Sequence, residues 1–340
     1  MRVVTFGELM LRLQPEGNWR FVQVDRLTAT FGGAEANVAV SLANFGAQSV
    51  FVSKLPCHEI GQSALNCLRR YGVDTRFIVR GGERLGIYFN EKGASQRPSK
   101  CIYDRKGSAI SQSTRGEFDW QRIFGDDSDW FHFSGVTPAL GGELPAICLD
   151  ACKAARERHI SVSCDLNYRS KLWSKEAARQ VMEALAPFVD VCISNEEDAR
   201  DVFGIEARGS DVAGGHLDKA AYKSVARQLA ERYGFKQVAI TLRTSVSASF
   251  NKWSALLFDG RECFFSREYD MTVVDRLGGG DSFCAGLIFA LLKGETPDRA
   301  VEFASAASCL KHSVEGDFNM ASVEEVERLA AGDASGRILR

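Results

Sequence analysis

The segment VVDRLGGGDSF at 273–283 carries three consecutive glycines directly before a carboxylate, Asp281, at the start of an apolar helix. Residues without side chains let backbone N–H groups approach an anion closely, and the positive end of the helix dipole adds to the attraction. The turn Gly278–Gly280 is therefore predicted to bind a phosphate group. From this stretch alone, the alternative is that Asp281 only caps the helix and that the glycines only permit the turn.

Motifs of other phosphate-binding and catalytic sites are absent from the sequence. The chain has no G-x-x-x-x-G-K-[ST], and GGAEANVAV after Phe31 does not fit the G-x-G-x-x-G of nicotinamide enzymes. His58-Glu59 lacks the second histidine of a zinc protease, and no G-x-S-x-G occurs. The glycine turn therefore indicates a phosphate site of a less common kind.

Composition favours a small-molecule partner. The chain has 340 residues with 42 basic and 44 acidic side chains, and neither sign forms a long block, so no surface for nucleic acid or for a membrane is expected. The ten cysteines stand singly, several inside apolar segments, and are read as reduced thiols without a zinc set. No stretch reads as a targeting leader or a membrane span, so a cytoplasmic location is expected.

The elements that must position this turn follow from an alternation of short apolar strands with amphipathic helices. This alternation is typical of an α/β fold with a mostly parallel sheet covered on both faces. The predicted strands are VVTF, VFVSKL, DWFHFSG, ISVSCDLN, DVCISN and QVAITL, and the predicted helices cover 34–45, 61–71, 142–157, 174–186, 221–233, 281–292 and 298–311.

Two early regions, 11–31 and 76–105, interrupt the alternation and are predicted as hairpins with glycine-containing turns. We interpret the chain as a single domain, 1–340, into which these two regions insert a small β lid. A sheet of this size buries little by itself, so it is expected to lean over a site or to pair with another subunit. The polar, glycine-rich stretch 206–220 is predicted as a surface loop.

Two segments of the sequence resemble the signatures of a known family. FGGAEANVAVSLANFGA at 31–47 and DRLGGGDSFCAGL at 275–287 resemble the two signatures of the ribokinase-like (PfkB) sugar kinases, in the same order and over nearly the whole chain. The resemblance implies a three-layer α/β/α domain with a small β-sheet lid. The family's D-x-x-G-x-G-D core is retained at Asp275, Gly278, Gly280 and Asp281, although Arg276-Leu277 and Gly279 replace the more usual Thr-Thr and Ala.

The resemblance implies roles for these residues. Asp281 would be the general base, and the amides of Gly278, Gly279 and Gly280 would form the anion hole for a phosphoryl group from ATP. It also implies Mg2+ and a monovalent cation near Asp275, although one frequent hydroxyl ligand is replaced. At the first signature, Gly32, Gly33 and Asn37 would contact the sugar; the alternative is a helix start with a solvent-facing asparagine.

Further motifs resemble the subgroup of this family that phosphorylates 2-keto-3-deoxygluconate. These motifs are GIYF at 86–89, CIYDRKGSA at 101–109 and DLNYRSKLW at 165–173. Carried over, Tyr88 and Tyr103 would border the sugar, while Arg105 and Arg169 would hold its carboxylate, which a guanidinium fork fits well. The alternatives are that the arginines pair with neighbouring acids on the surface and that the tyrosines belong to the core of the small sheet.

The nucleotide side is implied by three segments. In ISNEEDA at 193–199, Asn195 would contact the nucleotide, and either Asp198 or Glu197 would act on Mg2+ through water; the alternative is an exposed acidic helix start. Thr241 and Arg243 would contact phosphate or ribose. The helix around Ala306 would wall the adenine, unless its small side chains serve helix packing.

Together these features predict an ATP-dependent kinase that acts on the C6 hydroxyl of 2-keto-3-deoxygluconate. The partners are then ATP and a sugar acid, and a homodimer through the β lid is expected. The alternatives are a fructokinase or another kinase of the family, a non-catalytic sugar-binding regulator and, more remotely, an oxidoreductase. The configuration at C4 is left open, so 2-keto-3-deoxygalactonate is also a candidate.

Overall fold

The computed structural model describes residues 1–195, 197–207 and 218–333. Its strands are β1 (Arg2–Phe6), β2 (Met10–Gln14), β3 (Thr28–Gly32), β4 (Gln48–Leu55), β5 (Ile78–Arg80), β6 (Gly86–Glu91), β7 (Lys100–Asp104), β8 (Trp130–Ser134), β9 (Ser161–Asp165), β10 (Val191–Ser194), β11 (Gln237–Ser245), β12 (Phe250–Phe258), β13 (Cys263–Phe265) and β14 (Tyr269–Thr272). Its helices are α1 (Ala34–Asn44), α2 (Glu59–Arg70), α3 (Trp120–Phe124), α4 (Val136–Ala139), α5 (Leu144–Glu157), α6 (Lys175–Leu185), α7 (Asp198–Phe203), α8 (Lys219–Tyr233), α9 (Gly279–Leu292), α10 (Pro297–Lys311) and α11 (Val323–Ala330). Every predicted strand and helix is present, with ends shifted by at most three residues.

The large sheet has the strand order β13-β12-β11-β10-β9-β8-β1-β4-β5. Pairing is parallel from β5 through β11, while β12 runs antiparallel to β11, β13 and β14. Alternate residues of one strand serve opposite layers: Val4 packs in the cluster with α5 and α8, and Val3 packs in the cluster with α1, α9 and α10. The predicted three-layer α/β/α arrangement is therefore confirmed.

A second, four-stranded sheet has the order β3-β2-β6-β7. The predicted hairpin at 11–31 is the antiparallel pair β2 and β3, and most of 76–105 forms the antiparallel pair β6 and β7. The predicted lid boundary at 76 is wrong, because β5 pairs in parallel with β4 of the large sheet and buries Ile78 there. The second segment of the small sheet thus begins at Gly86.

Three features lie outside the predicted alternation or outside the described residues. The strands β12–β14 extend the large sheet as an antiparallel edge. Most of the predicted loop at 206–220 falls on residues 208–217, which are not among the described residues. Within the described ranges, no helix combines the length and the apolar character needed to cross a bilayer.

Candidate active site

One cleft of about 310 Å3 lies at the ends of β9 and β10, beside the central part of β11 and below the small sheet. The first turns of α1 and α9 open into it. Most of the predicted site residues line this cleft: Gly33, Asn37, Tyr88, Tyr103, Arg105, Arg169, Asn195, Asp198, Thr241, Arg243, Gly278, Gly279, Gly280 and Asp281. Segments that are far apart in the chain therefore meet at the edge of the parallel sheet where α/β folds bind ligands.

The three glycines of the turn have different surroundings. Gly278 has φ +79°, and a Cβ there would lie 1.9 Å from the carbonyl oxygen of Asp317. A Cβ on Gly279 would lie 2.3 Å from the imidazole ring of His312, whereas no heavy atom lies within 4 Å of a Cβ on Gly280. Packing thus requires the first two glycines, and the third faces open space in the cleft.

This difference allows anion binding to be separated from folding. We expect the free energy of unfolding of Gly280→Ala to lie within about 0.5 kcal/mol of that of the wild type, because the new methyl group contacts no other atom. The same methyl group would keep a phosphoryl group away from the amides, so turnover should fall on the order of 10²-fold. Thermal unfolding and steady-state kinetics measure the two effects.

Gly279→Ala is the matched control, because its methyl group would meet the His312 ring and should cost about 1–3 kcal/mol of stability. Full activity of Gly280→Ala would contradict the assignment of this turn as the phosphate site.

Asp281 lies in the first turn of α9, with its exposed part facing the cleft. Its Oδ2 accepts a hydrogen bond of 2.6 Å from Nδ2 of Asn37. Burial raises the pKa of Asp281 to about 7, although the hydrogen bond from Asn37 opposes the shift. A carboxylate with such a pKa is suited to accept a proton near neutral pH.

We expect kcat/KM for the acceptor substrate to fall below pH 7 by about one decade per pH unit, because only ionised Asp281 can accept a proton. Above pH 7 the profile should be flat as long as no other group titrates. Rates measured from pH 5 to 9 at saturating nucleotide and magnesium test this expectation. A profile that stays level down to pH 5 would exclude a group with this pKa as the base.

The first signature supplies the neighbour of Asp281. A Cβ on Gly33 would lie 1.9 Å from the carbonyl oxygen of Glu8, so only glycine lets α1 begin here. Asn37 is buried and its Oδ1 accepts a hydrogen bond from the Gly33 N–H at 3.2 Å, so the solvent-facing alternative is wrong. Gly32 does not line the cleft; it leaves space below the small sheet for Asp317 and the Tyr88 hydroxyl.

Two tyrosines of the small sheet form one wall of the cleft. Tyr88 on β6 and Tyr103 on β7 are paired in register, and their ring centroids lie 6.0 Å apart in a stacked arrangement. Tyr88 is buried, whereas Tyr103 is 39% exposed. The guanidinium carbon of Arg105 lies 5.5 Å from the centroid of the Tyr103 ring. The wall is therefore aromatic, and the Arg105 guanidinium that lies beside the Tyr103 ring is paired with Glu8.

The two predicted carboxylate-binding arginines differ in their partners. Nε of Arg105 donates to Oε2 of the buried Glu8 at 2.8 Å, so Arg105 does pair with an acid, but in the wall of the cleft and not on the surface as the alternative had it. Arg169 is exposed to the cleft, and its Nη1 donates to the carbonyl oxygen of Tyr168 at 3.2 Å. Among the described residues, Arg169 forms no ion pair with a carboxylate. It is therefore the arginine whose charge is open to a ligand.

The two acidic side chains predicted to act on magnesium, Asp198 and Glu197, lie in different environments. Asp198 is buried in the wall of the cleft, where Oδ1 accepts a hydrogen bond of 3.2 Å from the Tyr168 N–H while Oδ2 has no protein partner. Burial raises the pKa of Asp198 to about 6. Glu197 is half-exposed outside this cleft and pairs with Arg200 at 3.1 Å, so the prediction of Glu197 as a metal ligand is wrong. Asn195 caps α7, because its Oδ1 accepts hydrogen bonds from the N–H groups of Glu197 and Asp198.

The orphan oxygen of Asp198 fits the magnesium that a nucleoside triphosphate carries, since magnesium prefers oxygen ligands and keeps several water molecules. Thr241 and Arg243 of β11 line the cleft as predicted. Ala306, which was predicted to wall the adenine, does not line the cleft, because it is fully buried in the interface between α9 and α10. At that interface a Cβ on Gly286 would lie 3.2 Å from the Ala307 methyl group, so the small side chains of α10 serve helix packing.

The prediction of Asp275 as a ligand of a monovalent cation is also wrong. Its carboxylate is buried and forms an ion pair with Arg12 of β2. The same carboxylate accepts hydrogen bonds from the N–H groups of Leu277 at 3.2 Å and Gly316 at 3.1 Å. Arg12 matches the charge of Asp275, and the three donors occupy most of the about four lone-pair positions of its carboxylate.

Several cleft residues were missed by the sequence analysis: Glu8, Glu35, Asp165, Arg276, His312 and Asp317. Glu35 had a signal, because an acid among the apolar residues of α1 must find a buried partner. Its Oε1 accepts hydrogen bonds from the Ser134 N–H at 2.9 Å, the Ser134 hydroxyl at 2.7 Å and the Thr137 hydroxyl at 2.8 Å. Burial raises the pKa of Glu35 as well.

Proteins similar to this chain in sequence and fold include sugar kinases. A crystal structure of a 2-dehydro-3-deoxygluconokinase from Thermotoga maritima has 51% sequence identity and a TM-score of 0.94, with 98% of this chain and 100% of that chain covered. A 2-dehydro-3-deoxygalactonokinase from Haloferax volcanii is 31% identical over 334 residues, which is 98% of each chain. A 2-dehydro-3-deoxygluconokinase from Bacillus subtilis is 27% identical over 319 residues, 93% of this chain and 91% of that protein.

The model of the pfkB family carbohydrate kinases matches residues 1–323. Because this match spans nearly the whole chain, the protein belongs to the pfkB family of carbohydrate kinases.

Proposed function

We propose that the protein transfers the γ-phosphoryl group of ATP to the C6 hydroxyl of 2-keto-3-deoxygluconate, giving 2-keto-3-deoxy-6-phosphogluconate. The observation that carries the proposal is that one cleft holds both Asp281, beside the glycine turn, and Arg169, a cation that forms no ion pair with a carboxylate of the described residues. A neutral sugar does not require that cation, whereas a sugar acid does. The 51% identity to a 2-dehydro-3-deoxygluconokinase supports the same substrate.

In the proposed reaction the C6 hydroxyl lies between Asp281 and the γ-phosphorus. Asp281 accepts the hydroxyl proton while the oxygen bonds to phosphorus, and the bond to the bridging oxygen breaks so that ADP leaves. The amides of 278–280 and the positive end of α9 stabilise the charge that spreads over the phosphoryl oxygens. Magnesium on the triphosphate supplies further neutralisation, and Asp198 would hold it through water.

The remaining residues orient the acceptor and exclude water. Arg169 binds the carboxylate of the sugar, while Arg105, paired with Glu8, supports the wall of the cleft beside the Tyr103 ring. Asn37 holds Asp281 in position and lies close enough to contact the hydroxyl. The small sheet covers this side of the cleft, which limits hydrolysis of ATP by water.

A second candidate substrate is 2-keto-3-deoxygalactonate, which differs in the configuration at C4. The observation that favours it is the 31% identity to a 2-dehydro-3-deoxygalactonokinase over 98% of the chain. A neutral hexose and a non-catalytic regulator are weaker candidates, because the first leaves Arg169 without a purpose and the second does not need Asp281. The expected cytoplasmic location stays a prediction.

Coupled ADP release with both keto-deoxy acids, fructose and ribose tests the proposal. We expect kcat/KM to be highest for one of the two acids, by at least about tenfold over the neutral sugars, because the charged contact contributes about 1.5–3 kcal/mol. Comparable activity on fructose would favour a neutral-sugar kinase. Absence of phosphorylation with the whole panel would contradict the proposed reaction.

The small sheet also supports a proposed homodimer. A four-stranded sheet buries little apolar surface by itself, and covering its strand β7 with a second copy would bury Ile102, which is 49% exposed. Light scattering should therefore give twice the monomer mass, and Ile102→Asp should shift the protein toward the monomer. A monomeric wild-type protein at micromolar concentration would exclude this arrangement.

A further inference from the structure

Lys311, the last residue of α10, is a buried cation below the glycine turn. Its side chain is fully buried, and its Nζ donates to the carbonyl oxygens of Val314 at 3.2 Å and Asp275 at 3.4 Å. It forms no ion pair with a carboxylate in the part of the chain that the structure describes. Burial lowers the pKa of Lys311, while the nearby carboxylates of Asp275 and Asp317 oppose this and favour the ammonium form. An ammonium group held by backbone carbonyls has the surroundings of a bound monovalent cation.

The two carbonyls belong to the segments that frame the phosphate site. Asp275 lies three positions before Gly278, the first residue of the glycine turn, and Val314 lies in the loop that follows α10. These segments are also joined by backbone hydrogen bonds, since the Val274 N–H donates to the His312 carbonyl oxygen at 2.8 Å. A Cβ on Gly278 would lie 3.2 Å from Cε of Lys311, so the lysine stem runs directly beneath the turn.

A second internal cation completes this arrangement. The fully buried guanidinium of Arg12 pairs with Asp275 and, at 2.5 Å, with Asp317. The carboxylate that the sequence analysis assigned to a monovalent cation is therefore neutralised by a side chain from β2. An added potassium or sodium ion would have to enter a space that already contains Nζ, next to two positive charges.

We infer that the Lys311 ammonium takes the place of an activating monovalent cation and acts as a positioning residue for the phosphate-binding turn 278–280. Phosphoryl transfer by this protein is consequently independent of added potassium, sodium or ammonium ions. The inference rests on the proposed function only for its turnover assay, because nucleotide binding reports on the same turn without any sugar.

The first experiment uses the wild-type protein in chloride salts of potassium, ammonium, sodium and tetramethylammonium at one ionic strength. The readouts are turnover of whichever sugar is phosphorylated and the rise in Tm that Mg-ATP causes. Both should agree within about twofold across the four salts, since screening depends on ionic strength and not on ion identity. Activation of about tenfold or more by potassium over tetramethylammonium would overturn the inference.

The second experiment removes the internal cation. Lys311→Ala should lower kcat on the order of 10²-fold, because the turn loses its support and shifts relative to the reacting groups. Potassium or ammonium should restore part of this activity by entering the vacated space, whereas tetramethylammonium is too large. Lys311→Met fills the same space without charge, so its activity should be low in all four salts.

Lys54→Met is the matched control, because Lys54 is another buried lysine but pairs with Glu117 at 2.6 Å away from the cleft. Its Tm should fall, and no salt should change its turnover selectively. Full activity of Lys311→Ala, or a low activity that potassium and ammonium leave unchanged, would overturn the inference. If the Lys311 variants do not fold, the wild-type comparison decides. If no sugar is phosphorylated, the proposed function fails, and the Mg-ATP shift in Tm still tests the cation.

Discussion

Replacing Asp281 with asparagine is expected to lower kcat by about 10²- to 10⁴-fold, the range found when a general base is removed. The side chain keeps its size, and its oxygen can still accept the hydrogen bond from Nδ2 of Asn37. Only the ability to accept the hydroxyl proton is lost. Turnover of the preferred sugar, measured by ADP release, reports the change. Wild-type activity in Asp281→Asn would place the base elsewhere.

The same substitution should not weaken the fold. The pKa of Asp281 is about 7 in the folded protein, against an ordinary value of 3.8, so the folded state binds more protons between these two pH values. Stability from this group is therefore fully present below about pH 4 and is lost as the pH rises toward 7. Asparagine carries no such penalty, and Tm of Asp281→Asn should exceed that of the wild type more at pH 8 than at pH 4.

Asp298→Asn is the matched control, because Asp298 also lies in the first turn of a helix, α10, but outside the cleft. Its activity should equal that of the wild type. A lower Tm of Asp281→Asn at pH 8 would show that its lost activity reflects lost structure.

Replacing Arg169 with methionine is expected to raise KM for the sugar acid by roughly 10- to 150-fold, which corresponds to about 1.5–3 kcal/mol for a hydrogen bond to a charged group. Kcat should change much less, because the carboxylate of the sugar carries the same charge in the ground state and the transition state. Arg169 has no carboxylate partner among the described residues, so its removal leaves no buried acid behind. Steady-state kinetics over a range of sugar-acid concentrations measure both constants.

Two other arginines provide the comparison. Arg84→Met removes an arginine of the lid region that pairs with the exposed Asp104, and it should leave KM unchanged. Arg105→Met leaves the buried Glu8 without its partner, so it should lower Tm as well as affinity. An equal rise in KM for a keto-deoxy acid and for a neutral sugar in Arg169→Met would contradict recognition of the carboxylate.

The strands and helices of the α/β domain, and the glycine turn with Asp281, could be predicted from the sequence alone. Periodicity predicted the strands and helices because burial of one or both faces leaves a local pattern in the residue types. The adjacency of Gly278–Gly280 and Asp281 is local as well, so the glycine turn and its acid, which both line the cleft, could be found without a structure. The small sheet was predicted for the same reason. The exception is β5, whose residue types suit either sheet and which pairs with β4 of the large sheet.

The assignments that failed concern groups whose partners are distant in the chain. Asp275 pairs with Arg12, which is separated from it by 263 positions, and the sequence gives no sign of that contact. Ala306 could equally line a ligand or pack against α9, because small side chains suit both. His312 explains why glycine stands at 279, yet only the fold brings its ring beneath that residue.

The sequence by itself therefore determined the α/β architecture, the glycine turn and the acid behind it, all of which follow from patterns within a few residues. Only the tertiary structure decided which charges are open to a ligand: Arg169 is, while Arg105, Asp275 and Lys311 are held by the protein's own groups. The physical reason is that a charge buried on folding must be matched by an opposite charge or by hydrogen bonds, and the chain topology determines which groups are near enough to do so.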